Sequence, residues 1–121
     1  MLQVLKNYSS DVSLQALPPP SVLPQEELKN LTGLELQLAE VVQTSFKKGE
    51  WSSCEARLNA LASLPLSEAA SSRLQFYLAQ TLAEQGHYRR AALALLSSDP
   101  GPSLKQSWLK ALLARLEKTP S

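Results

Sequence analysis

The chain has 121 residues, 44% of them hydrophobic, with 12 basic and 11 acidic side chains for a net charge of +1. That suffices for one small domain with a core. It excludes the dense basic face that non-specific nucleic-acid binding needs. The single cysteine excludes an internal disulfide framework and a cysteine-rich metal site.

Leucine (25 residues) and alanine (14) dominate the apolar fraction, against five valines and no isoleucine. Leucine and alanine suit helices, whereas strands favour β-branched and aromatic side chains. The expected fold class is therefore all-α. No basic region followed by a long apolar run opens the sequence, so no signal peptide is expected. No run of about 18 apolar residues occurs, so no membrane-spanning helix is expected either. With a lone thiol, Cys54, the expected compartment is a reducing one, the cytoplasm.

In chain order, residues 1–23 read as a flexible leader. Pro18, Pro19 and Pro20 donate no backbone hydrogen bond and favour an extended conformation. A helical domain is expected over residues 24–118. The first helix begins at Pro24, whose missing N–H is not needed at a first helical position. Gln25, Glu26 and Glu27 then suit the helix dipole. Leu31, Leu34, Leu38, Val41, Val42 and Ser45 form one stripe, and Gly33 weakens its middle enough to allow two shorter segments. Lys47 and Lys48 close this helix before a Gly49 cap.

A second helix runs from about Trp51 to Ser63 with Cys54, Leu58 and Leu61 inward, and Pro65 stops it. Ser67 caps a third helix over about 68–85, which turns Leu74, Leu78, Thr81 and Leu82 to one side. Gly86 ends it. A fourth helix spans roughly 88–97 with Ala91, Ala92 and Leu95 inward. Asp99-Pro100-Gly101-Pro102 breaks the chain. Ser103 then caps a final helix with Leu109, Leu112, Leu113 and Leu116 as its stripe.

Two of these helix junctions repeat. Lys47-Lys48-Gly49-Glu50-Trp51-Ser52-Ser53-Cys54 is answered by Glu84-Gln85-Gly86-His87-Tyr88-Arg89-Arg90-Ala91, an offset of 37 residues (49 to 86). Each reads helix, glycine, one polar residue, large aromatic, two residues, small residue, helix. A repeat of this size usually encodes one helical unit stacked on another.

The second copy, from Leu78 and Ala79 through Gly86 and Tyr88 to Ala91, resembles the tetratricopeptide repeat family. The first copy, with Val42 and Ser45 at key positions, fits that pattern less well, and the offset exceeds the family's repeat of about 34 residues. The resemblance implies two stacked helix-turn-helix units and a C-terminal capping helix. It also implies a concave groove lined by Leu36, Gln43 and Phe46 from the first copy and by Arg73, Phe76, Gln80 and Glu84 from the second. The family's cationic clamp for a terminal carboxylate is absent, since Arg73 is the only cation in that set. Phe46 and Phe76 have a second reading as ordinary core residues. His87, Arg89 and Arg90 make a small basic patch that could meet an acidic partner.

No catalytic, cofactor-binding or metal-binding residue is assigned. His87 sits in a turn without a ligand cluster, Cys54 takes a small-residue packing position, and no phosphate loop, nucleophile elbow or HExxH motif occurs. The expected function is non-enzymatic: a protein-interaction module, adaptor or assembly subunit that binds a partner's helix or peptide in the groove. Self-association could complete so short an array. Two other readings remain open. One is a small dedicated chaperone similar to the helical-repeat chaperones of bacterial type III secretion. The other is a regulator acting through its proline-rich leader, Leu14 to Pro20.

Overall fold

Two short turns organise the chain. In the first, Gly49 N–H donates to Phe46 O at 3.1 Å and Glu50 N–H to Ser45 O at 3.0 Å. In the second, 37 positions later (46 to 83, 45 to 82), Gly86 N–H donates to Ala83 O at 3.0 Å and His87 N–H to Leu82 O at 2.9 Å. Both glycines have positive φ, 73° and 86°, which a residue bearing Cβ adopts only with strain. Paired backbone bonds of this kind satisfy the last carbonyls of a helix and stop it. Glu50 (φ −83°, ψ 72°) and His87 (φ −89°, ψ 67°) then start the next helix in the same conformation. The two copies of the sequence motif thus encode one backbone.

The structure, a computed structural model, describes residues 17–24 and 31–118. Among these residues all regular structure is helical, in an all-α fold. Helix α1 is Gly33–Val41 and runs on into a π-helical turn, Val42–Phe46; α2 is Trp51–Ala62, α3 Glu68–Glu84, α4 Tyr88–Leu96 and α5 Pro102–Lys118. Each helix packs on its predecessor, and α3 also touches α1. No helix among the described residues is long and apolar enough to cross a membrane.

Several boundaries follow the sequence. Ser67 caps α3, its hydroxyl accepting from Ala70 N–H at 3.1 Å, and Cys54, Leu58 and Leu61 are the buried face of α2. The break that Gly33 allowed is also present: α1 starts at Gly33, because Thr32 is extended (φ −138°, ψ 163°) and Gly33 has φ 60°. The acidic first turn proposed at residues 25–27 lies outside the described residues. Helix α5 starts at Pro102 rather than after a Ser103 cap. Its core residues are Trp108 and Leu112, whereas Leu113 faces out.

Helix α3 departs furthest from a single stripe. Arg73, Leu74, Phe76, Tyr77, Ala79, Gln80, Thr81, Leu82 and Ala83 are all buried. A helix covered on every side is a central one. Helices α2 and α4 cover two sides of α3; residues 17–24 cover another.

Candidate functional site

Residues 17–24, the described part of the stretch read as a leader, lie along α3. Ser21 and Leu23 face one side and Pro20 and Val22 the other, the alternation of extended chain. Ser21 and Leu23 address α3: Ser21 N–H donates to Gln80 Oε1 at 2.7 Å, and Gln80 Nε2 donates back to Ser21 O at 3.1 Å. Leu23 N–H donates to the Tyr77 hydroxyl at 2.8 Å, and the Leu23 side chain is buried in the core. Pro20 and Val22 face the other way and wall a cavity of about 380 Å³ with Phe46, Lys47, Lys48, Gly49 and Trp51. The segment runs antiparallel to α3, since its later residue bonds the earlier helical one.

Helical spacing makes this cradle. Tyr77 and Gln80 are three residues apart and share a face of α3. Both are wholly buried, and a buried amide or hydroxyl costs free energy unless its hydrogen bonds are met. The primary amide of Gln80 carries a donor and an acceptor side by side, matching the N–H and C=O of a single residue. What it recognises is backbone, whatever side chain that residue carries.

The structure redistributes the other groove residues. Phe46 and Phe76 are core: Phe46 meets Trp51 edge-on with ring centroids 5.5 Å apart and Tyr77 at 5.1 Å, and Phe76 packs on Tyr77 at 6.0 Å. Arg73 is buried in an ion pair with Glu35, whose other oxygen lies 3.5 Å from the Ser67 hydroxyl. It ties α1 to the start of α3. Leu36 is exposed, and Gln43 and Glu84 are half-buried. Of the seven positions, Gln80 is the one that pairs with both backbone groups of Ser21. Tyr77 was missed, because an aromatic at helical spacing reads as core and only its hydroxyl has another use.

The basic patch is also divided. Arg90 pairs with Glu55 at 3.2 Å, and the same carboxylate accepts from Gln85 Nε2 at 2.8 Å. Arg89 and His87 are exposed. These contacts fasten α4 to α2. Cys54 lies buried beside Thr81, Sγ to Oγ1 3.6 Å; burial pushes its thiol above the ordinary value, against the opposing influence of Thr81 and Arg57. Among the described residues no cluster of three or more His, Cys, Asp or Glu side chains could hold a metal ion.

No protein-family model matches the chain, and neither the curated proteins nor the solved structures contain a match to it.

Proposed function

We propose that the chain is a non-enzymatic protein-interaction module that holds an extended stretch of polypeptide across α3. The observation that carries this reading is the pairing of Gln80 with both backbone groups of Ser21, reinforced by the bond from Leu23 N–H to Tyr77. Three main-chain bonds made by two buried side chains give affinity, and the burial of Leu23 gives selectivity, as in other modes of extended-peptide recognition. The tetratricopeptide-like sequence of the second repeat agrees with such a role. An extended occupant fits this face better than the helical one expected of a chaperone for amphipathic helices.

The test is a displayed peptide library selected on the full-length chain and counter-selected on Gln80→Leu, with folding of the variant checked by its melting transition. Peptides enriched on the native chain and lost on the variant support the reading. Enrichment that ignores Gln80 contradicts it.

A further inference from the structure

We propose that the segment Pro20-Ser21-Val22-Leu23 is a built-in competitor for a trans ligand of the same chemistry: an extended peptide with N–H groups at its first and third positions and a large apolar side chain at the third. This rests on the reading of α3 as a peptide cradle and adds its regulation and its ligand class.

The pattern follows from the seated segment. Ser21 and Leu23 donate their N–H groups to α3, so proline, which has no N–H, is excluded at those two positions. Pro20 and Val22 face the cavity of about 380 Å³ instead. Proline is therefore tolerated there, and a side chain larger than valine has room at the middle position. Leu23 is buried against the core, so a charged third residue is excluded. The cradle therefore reads a triplet of any non-proline, any residue, then leucine or a similar apolar residue.

Tethering decides who wins. A segment joined by a short linker acts at an effective concentration of about 1 mM. An identical free peptide with an intrinsic Kd of about 0.1 mM would then bind the native chain roughly tenfold more weakly than a chain whose own segment cannot sit. Ligands must outbid the tether by binding more tightly or by arriving at high local concentration. The cradle is closed to weak encounters.

The experiment titrates a fluorescent peptide with the sequence of residues 17–24 into full-length native chain and into the Ser21→Pro variant, following anisotropy. The variant loses the N–H that Gln80 accepts while every cradle side chain stays in place. The expected result is about tenfold tighter binding to Ser21→Pro than to the native chain, and no binding by a peptide that itself carries Ser21→Pro. Amide exchange on the native chain serves as a second readout that needs no variant: excess peptide should accelerate exchange at Leu23. Equal binding to both proteins that is lost in Gln80→Leu would overturn the competition and leave the peptide-binding reading standing. No binding to either folded protein would overturn both. A native chain that runs as a dimer, and loses the dimer in Ser21→Pro, would put a second copy's segment in the cradle and overturn the proposal.

Discussion

At Gly49 the chain turns beneath Trp51, whose ring lies 3.8 Å from where a Cβ on that glycine would sit and packs edge-on against Phe46. At Gly86 the same turn is followed by Tyr88, which looks the other way: the Arg115 guanidinium stacks 5.1 Å above its ring and donates to its hydroxyl at 3.4 Å. One copy of the motif supports the cavity beside residues 20 and 22, while the other supports α5. Two faces of the helical array are thus covered by different means. A 17-residue helix, α5, covers one with Trp108 and Leu112. A few extended residues cover the other with one buried leucine and three hydrogen bonds to side chains. Repeated local sequence gives a repeated bend, and the surface over each bend depends on whatever distant chain reaches it.

The sharpest way to break this comparison is to weaken each closure in turn. Trp108→Ala removes a fully buried indole and is expected to cost about 3–5 kcal/mol in urea unfolding. Leu23→Ala is expected to cost about 1 kcal/mol, below the usual range for leucine truncation, because the segment can lift away and the loss is then capped at its roughly tenfold docking preference. If Leu23→Ala costs as much as Trp108→Ala, residues 17–24 are as integral to the fold as α5 and the contrast fails.

The likeness of the two bends has its own test. Gly49→Ala and Gly86→Ala each force a Cβ into positive φ, with no close contact at either site. Each should lose about 1 kcal/mol, and the two losses should agree within about 0.5 kcal/mol. A large inequality would mean that the bends differ in more than their surroundings.

The smallest effect concerns the contact between α2 and α3. Burial raises the Cys54 thiol above its ordinary value of 9.0. The unfolded chain therefore ionises there first as pH rises, and the stability owed to the protonated thiol is present below that value and is lost above it. Melting temperatures should fall more steeply above about pH 9 for the native chain than for Cys54→Ala. Parallel curves would show that the thiol is not desolvated.

Local chemistry was legible in the sequence. The two glycine bends, the Ser67 cap and the apolar face of α2 each depend on residues within a turn or two of one another. The cradle was legible only in fragments. Gln80 stood at a position that the repeat resemblance singled out, but its partner lies 59 residues away and Tyr77 bonds a residue 54 away. No periodicity links such positions. A proline-rich stretch reads as unstructured because it cannot join a helix or a sheet, and here it is fixed by side chains that replace the missing backbone partners. One signal was available: Phe76, Tyr77, Ala79, Leu82 and Ala83 make α3 apolar beyond a single stripe, and a helix of that kind needs cover on all its faces.

The most direct measurement is site-resolved amide exchange on residues 21–23 of the full-length chain, native and Tyr77→Phe. Ser21 and Leu23 should be protected relative to Val22, which lies between them and makes none of the three bonds. Tyr77→Phe should accelerate Leu23 by about fourfold, the loss of one hydrogen bond from a segment docked about tenfold in its favour, with a smaller effect at Ser21. Uniformly fast exchange across all three residues in the native chain would contradict the cradle and everything inferred from it.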